Sequence, residues 1–502
     1  MLASVAADNE SYSPPTGGLL SKERIVAGPG FNRWYVPPAA LAIHLCIGMA
    51  YGFSVFWLPM THLVAGADAA ACKDLGFWAA MTTGSCDWTV PQVTHIFETF
   101  IAMLGISAAL WGGWLEHAGP RKAGFIAALC WGGGLVVGGI GVSVHQLWLV
   151  YLGCGVLGGV GQGLGYITPV STLIKWFPDR RGMATGFAIM GYGGGAMIGA
   201  PLAVALMKNF APGGTQGVSQ TLIAMGILYF VVMSAGAFGF RVAPSGWRPA
   251  GWTPSARVGQ NAMITQHQVH LSRAWKTPQF WLIWAVLCLN VTAGIGVISM
   301  ASPMFQEVFG SRLLGVDNAT VLDAAQKARI VAAAAGLVGL ISLFNSVGRL
   351  FWASLSDKIG RKTTYCVFFV LGMALYCSLP ALGHLGLAGA FVFAVCVILT
   401  MYGGGCAMTP PSRTMFAGVS AMLAWSRRAA SSGVARSAIS SAISDRSTSI
   451  AAAFAFASSS RSGASRASAS RSPARSRGRA LPSAIRAFCA ASSTVALSTP
   501  SR

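Results

Sequence analysis

Charge is what this sequence has least of. Only 10% of its 502 residues are Asp, Glu, Lys or Arg, while 54% are hydrophobic. A soluble domain carries about 25% charged residues, so most of this chain is not built to meet water. Acids are scarcer still, with 14 Asp and Glu against 35 Lys and Arg. The first 30 residues lack the apolar core and small-residue cleavage site of a signal peptide. They are polar and contain Pro14 and Pro15, and residues 1–35 read as a disordered cytoplasmic tail. The 11 cysteines show no zinc spacing, and most fall in apolar stretches, where Cys behaves as a small hydrophobe. No nucleotide-binding loop, metal cluster or catalytic-triad pattern is present. An enzyme, an ATP-driven pump and a bound cofactor are therefore not expected.

What the chain has instead is long apolar runs. A spanning helix needs about 20 apolar residues. Segments that meet this lie at 36–63, 92–115, 123–143, 147–174, 183–207, 221–241, 278–303, 328–355, 364–383 and 387–408. Backbone groups in lipid must be satisfied within their own segment, so each reads as a helix. Glycine crowds the fourth, at 153, 155, 158, 159, 161, 163 and 165. Small residues let helices approach closely in lipid. The polar stretch 242–277 divides a six-helix bundle (36–241) from an incomplete bundle of four (278–410).

The net charge of +21 suggests nucleic acid at first sight, but its distribution does not. With the N-terminus inside, the inner loops hold 16 Lys and Arg, among them Lys22, Arg33, Lys175 and Arg241, and the outer loops hold 5. That is a topology signal, and it places the N-terminus on the cytoplasmic side of a multi-pass inner-membrane protein. Another 13 basic residues lie after Pro410, in a tail with one acid, Asp445. Cys72 and Cys86 share the outer loop 64–91. In an oxidising compartment they either bridge or stay as two thiols.

An internal repeat organises the chain. Gly112-Gly-Trp-Leu-Glu116-His-Ala-Gly119-Pro-Arg121-Lys122 follows the second helix, and Ser356-Asp357-Lys358-Ile-Gly360-Arg361-Lys362 follows the eighth. Arg121 and Arg361 stand 240 residues apart, each two helices into its half. Glycine permits a tight turn, the acid can cap a helix end, and the basic pair holds the loop inside. Duplicated halves are common in transporters, with the substrate site near the midplane between them.

Charges and polar groups inside the membrane are expensive and mark function. Arg349 lies six residues before the inner end of helix eight, roughly 9 Å into the membrane at 1.5 Å per residue. Its planar fork matches a carboxylate; the alternative is an arginine snorkelling to the interface. Gln162, Asn290 and Asn345 can line a path or bridge helices. Glu98 and His95 share a face of helix two near its outer end, where they could relay protons.

The repeated loops resemble the signature loop of the major facilitator superfamily. Trp176-Phe-Pro-Asp179-Arg180-Arg181-Gly182 with Gly186-Phe187, Thr277-Pro-Gln-Phe-Trp281 and Gly348-Arg349-Leu-Phe-Trp352 resemble its oxalate/formate antiporter family over residues 32–410. That resemblance implies an all-α bundle of twelve helices, a monomer in the bilayer, and exchange or symport of small organic anions. It places Arg349 where the family carries a substrate-binding arginine and Tyr166 on a cavity tyrosine; Tyr51 looks similar. It also implies that Glu116 caps a helix end across the halves. A proton-coupled monocarboxylate symporter is the runner-up, and an inactive or sensing membrane protein the alternative of another class. The chain departs from the pattern after Pro410. Residues 411–502 are about two-thirds Ser, Ala and Arg, with no Lys and no stretch able to span. Such a composition cannot build a packed core and reads as out-of-frame translation, the alternative being an arginine-rich tail that binds anionic lipid or nucleic acid. It takes with it the two last helices and the second substrate-binding cation that the resemblance implies.

Overall fold

The computed structural model describes residues 17–64, 76–211, 216–252, 276–315 and 322–408. Among them, 10 helices are long and apolar enough to cross a membrane, as the sequence led us to expect. We label them α1 (Val36–Ile47, carried on by a 3-10 stretch Gly48–Gly52 and a short helix Ser54–Met60), α2 (Val90–Ala118), α3 (Pro120–Ser143), α4 (Gly158–Trp176, preceded by a π-helical stretch Tyr151–Leu157), α5 (Arg181–Asn209), α6 (Val218–Gly239), α7 (Pro278–Leu313), α8 (Ala324–Ile359), α9 (Arg361–His384) and α10 (Ala388–Met408). The only extended pairing among the described residues is an isolated bridge, Val26 to Val242. The tail 411–502 and the centre of the 242–277 stretch lie outside the described residues.

Three sequence expectations change. Helix seven was expected to end at 303; it runs to Leu313 with Pro303 inside it. A proline in a membrane helix is tolerated because neighbours re-satisfy the freed backbone groups. The repeated loops shrink to single residues. Gly112 and Glu116 belong to α2, and Asp357 to α8; only Gly119 and Gly360 break the helices. Both glycines have positive φ, 82° and 87°, a region a side chain enters only with strain. Each caps the helix behind it, through N–H bonds to Leu115 O at 3.0 Å and Ser356 O at 2.9 Å. The repeat in sequence is thus a repeat in backbone geometry.

The third change is at the N-terminus. Residues 1–16 lie outside the described residues, but 17–35 form an ordered strap rather than a disordered tail. Ala27 N donates to Val242 O at 2.9 Å and Val242 N to Ile25 O at 2.8 Å. Ile25 is fully buried. Arg33 makes a two-pronged ion pair with Asp179, at 2.7 and 3.0 Å, and lies over the ring of Phe177. Lys22 Nζ donates to Glu116 O at 2.6 Å. Apolar anchors and charge pairs outweigh the polar look of this stretch.

The halves meet along α5 and α8. Ser342 Oγ donates to Gly193 O at 2.6 Å, accepts from Met197 N at 3.0 Å, and Ser346 Oγ donates to Met190 O at 3.1 Å. Small residues and hydroxyls are what a membrane seam is made of, because lipid offers no hydrophobic drive between helices. Gly48 and Gly195 bring α1 against α5; a Cβ on Gly195 would lie 2.4 Å from Leu45 O.

Candidate functional site

Arg349 is wholly buried at this seam. Its Nε donates to Asn345 Oδ1, one turn back on α8, at 3.3 Å, and its Nη2 donates to Tyr51 Oη at 3.3 Å. Its Nη1 has no hydrogen-bond partner among the described residues. A buried guanidinium with an unsatisfied fork is costly, and it is also what an incoming carboxylate would complete. Its side chain is wholly buried and bonded to Asn345 and Tyr51, and does not reach outward as a snorkelling arginine would.

Four tyrosines surround it. Tyr51 shares a hydrogen bond of 2.9 Å with Tyr402. The rings of Tyr51 and Tyr166 each stand edge-on to Tyr192, with centroids 4.8 and 5.0 Å away. Arg349 Cζ lies 5.5 Å from the centre of the Tyr192 ring, a cation–π distance. Tyr166 interacts with the guanidinium both electrostatically and by a side-chain hydrogen bond. Gln162 Nε2 donates to Tyr192 Oη at 2.7 Å, while its Oε1 is unsatisfied among the described residues. A crevice too narrow to hold a water lies beside the cluster, lined by Tyr51, Ile298, Val338, Ser342, Asn345 and Leu399.

Five sequence candidates therefore converge: Arg349, Asn345, Tyr51, Tyr166 and Gln162. Asn290 does not join them. It lies at the contact of α7 with α10, where a Cβ on Gly405 would come 2.1 Å from its Nδ2. Tyr192, Tyr402 and His44 were missed. Two of these had a signal: Tyr-Gly-Gly-Gly occurs at 192–195 and again at 402–405. The two runs flank α8. A Cβ on Gly193 would lie 2.9 Å from Arg349 Nε, and one on Gly403 would lie 2.3 Å from Asn345 O and 3.2 Å from Arg349 Cγ. Glycine there lets two helix backbones close on the arginine from both sides.

The other candidates fall elsewhere. His95 and Glu98 pair at 3.2 Å, but both side chains are nearly half exposed and make no contact with the cluster. The helix end that Glu116 is expected to cap across the halves belongs to the stretch after 410, outside the described residues. Glu116 itself pairs with Lys175 and accepts from Ser171 Oγ at 2.8 Å, inside the first half. Arg121 donates to Leu19 O at 3.2 Å and Phe238 O at 3.1 Å, tying the strap to the end of α6. Lys122 Nζ lies 6.0 Å from the Trp114 ring, and Lys362 is exposed. The side chains of Asp357 and Arg361 lie outside the described residues. Cys86 is disulfide-bonded; Cys72, its expected partner, lies outside the described residues.

Comparison with known proteins adds four findings. The profile of the Major Facilitator Superfamily matches residues 40–444, past the 410 at which the sequence reading ended the resemblance. The chain is 26% identical to the oxalate:formate antiporter of Oxalobacter formigenes over 393 residues, covering 76% of this chain and 77% of that one. It is 27% identical to apicoplast pyruvate carrier 1 of Toxoplasma gondii over 290 residues, covering 49% of this chain and 50% of that carrier. Among solved structures, the proton:xylose symporter XylE bound to 6-bromo-6-deoxy-D-glucose aligns with a TM-score of 0.50 at 13% identity, over 84% of this chain and 93% of that one.

Proposed function

Because this chain belongs to the Major Facilitator Superfamily, a family of membrane transporters, we propose that its central site binds a small carboxylate, which the intact twelve-helix form carries by alternating access, in exchange for another. The observation that carries this reading is Arg349, fully buried between the halves with Nη1 unsatisfied among the described residues. An arginine fork recognises a carboxylate by two parallel bonds. The surrounding tyrosines supply hydroxyl donors and a ring face, and so accept a planar anion of a few atoms. The names of the two relatives, one an oxalate and formate antiporter and one a pyruvate carrier, agree with that chemistry.

The basic residues support one orientation. Lys22, Arg33, Arg121, Lys175 and Arg241 gather on the face of the first half that the strap covers. That face is the cytoplasmic one by the positive-inside bias, which puts the N-terminus inside and the Cys86 loop outside.

Carboxylate binding tests the site. The purified full chain should bind formate, oxalate or pyruvate, with affinity read from intrinsic tryptophan fluorescence. Arg349→Ala should lose that binding. Unchanged affinity in Arg349→Ala would make the arginine a packing element and end the reading.

A further inference from the structure

His44 is a buried titratable side chain that the carboxylate reading does not use. It is fully buried on α1, one turn above the break at Gly48. Both of its ring nitrogens face backbone carbonyls. Nδ1 is against Ala188 O of α5, and Nε2 is 3.1 Å from Tyr166 O of α4. A neutral imidazole has one N–H donor and one lone pair. In that form one nitrogen turns its lone pair toward a carbonyl oxygen, and the contact is repulsive. The imidazolium donates from both nitrogens and satisfies both carbonyls. The surroundings are thus shaped for a proton that only the charged form holds.

The groups facing His44 explain why that proton is not held unconditionally. From α4 comes Tyr166, with ring centroids 5.6 Å apart, and from α5 comes Tyr192, at 6.3 Å. Burial in this apolar centre is the larger obstacle to a charge on His44, and the positive charge of Arg349 on α8 adds to it through space. The titratable group of α6 on this side, Tyr229, interacts with Cys46 instead. With Arg349 unneutralised, a second cation in the same apolar centre is opposed by Coulomb repulsion, which low dielectric amplifies. An anion on Arg349 cancels that repulsion. The proton and the anion then favour each other, and the coupling is reciprocal.

We propose that His44 is the proton-carrying group of the transport cycle, taking one proton from water when an anion binds at Arg349 and giving it back when the anion leaves. For a monocarboxylate this makes the loaded centre carry the same charge as the empty one. The inference rests on the carboxylate reading above. It moves proton coupling from the half-exposed His95 and Glu98 pair to the centre. No bond forms or breaks other than the N–H on the imidazole, and no reductant or co-reactant is involved.

Proton uptake tests it on the full wild-type chain. Formate, oxalate and pyruvate are added at pH 7 in weakly buffered solution with a pH-indicating dye, and affinity is followed in parallel from pH 6 to 8. The expected result is close to one proton taken up per anion bound, with affinity falling nearly tenfold per pH unit in the upper part of the range. His44→Gln, whose amide offers donors to the carbonyls without titrating, should bind the anion with proton uptake cut at least fivefold. Anion binding without proton uptake in the wild-type chain overturns the inference and leaves the carboxylate site standing. So does undiminished uptake in His44→Gln. Should that variant not fold, the wild-type stoichiometry and pH slope decide alone. No binding of any of these anions by the wild-type chain overturns both readings.

Discussion

The six helices up to Gly239 and the four that begin at Pro278 differ in how their surfaces are used. In the first half the buried share of each span's apolar stretch runs from 39% in α6 to 67% in the first span. In the second half the values divide. For α8 and α10 they are 56% and 67%, but for α7 and α9 only 33% and 22%. Leu282, Leu289, Val370 and Met373 are all more than half exposed. The second half is packed where it bears the site and bare where it does not, among the described residues. The geometry around Arg349 thus depends on the α5–α8–α10 seam more than on the outer helices.

The largest effect would come from the stretch after Pro410. We propose that residues from about 411 onward arise from a shifted reading frame, which would account for the bare faces of α7 and α9 and leave the chain as written unable to transport. The family match running to residue 444 stands against this. The coding DNA separates the two readings. Translated from codon 405 in the other two forward frames, one should encode two apolar stretches of about 20 residues, the first with a Lys or Arg. The corrected chain should gain formate counterflow in liposomes where the chain as written shows none. If neither frame encodes such stretches, the basic tail is genuine and the contrast between the halves belongs to the protein.

At the seam itself, removing one partner of a buried charged pair costs about 2–5 kcal/mol. Arg349→Ala should therefore weaken carboxylate binding by about 100-fold, since 1.4 kcal/mol is tenfold. Arg349→Lys keeps the charge but loses the fork, and a loss of about tenfold is expected. Equal losses in the two variants, measured by equilibrium binding, would show that charge alone matters.

Glycines sharpen the contrast further. Gly403→Ala would push a Cβ to 2.3 Å from Asn345 O, and Gly195→Ala to 2.4 Å from Leu45 O. Overpacking of this kind costs about 1–3 kcal/mol, so both should lower the thermal midpoint in detergent. Gly296→Ala, on exposed α7, meets nothing within 4 Å and should leave it unchanged. A drop in Gly296→Ala as large as in Gly403→Ala would mean that α7 is not bare.

The smallest effect is electrostatic and lies on the strap. The Arg33 guanidinium, hydrogen-bonded to Asp179, holds that carboxyl below its usual range. A depressed value means the contribution is fully present above the unfolded pKa of about 3.9 and is lost as pH falls through the folded value. The pair is worth at most about 1 kcal/mol. Tryptophan fluorescence near the strap, where Trp34 and Trp247 lie, should report loosening below about pH 4 in the wild type. The Asp179→Asn variant should lack that step. A step of equal size in the variant would assign it to another group.

Much of the fold was legible. Apolar length and the cost of bare backbone in lipid gave ten helices within a few residues of their observed ends. Pro303 was the exception, because a breaker in water is tolerated in a membrane helix. The loops looked longer than they are because one glycine at positive φ suffices to reverse the chain. Residues 17–35 were misread because their contacts, Ile25 to Val242 and Arg33 to Asp179, span more than 140 positions in the sequence. Arg349 was legible because a cation in an apolar run has few innocent explanations. His44, Tyr192 and Tyr402 were not, since a ring on an apolar helix usually only packs, and only the helix–helix register brings these ones together.

The strap has a consequence in the order of synthesis. Ile25 and Ala27 leave the ribosome before any spanning helix, yet their backbone partner is Val242, just past the end of α6. Domains generally fold as units with their N-terminal parts made first, but here the earliest described segment finds Glu116 94 positions after Lys22 and Asp179 146 positions after Arg33, and its backbone partner Val242 only after more than 200. Closure of the strap therefore reports that all six helices of the first half are inserted and in register. It acts as a clasp from the front of the chain to the back of the first bundle.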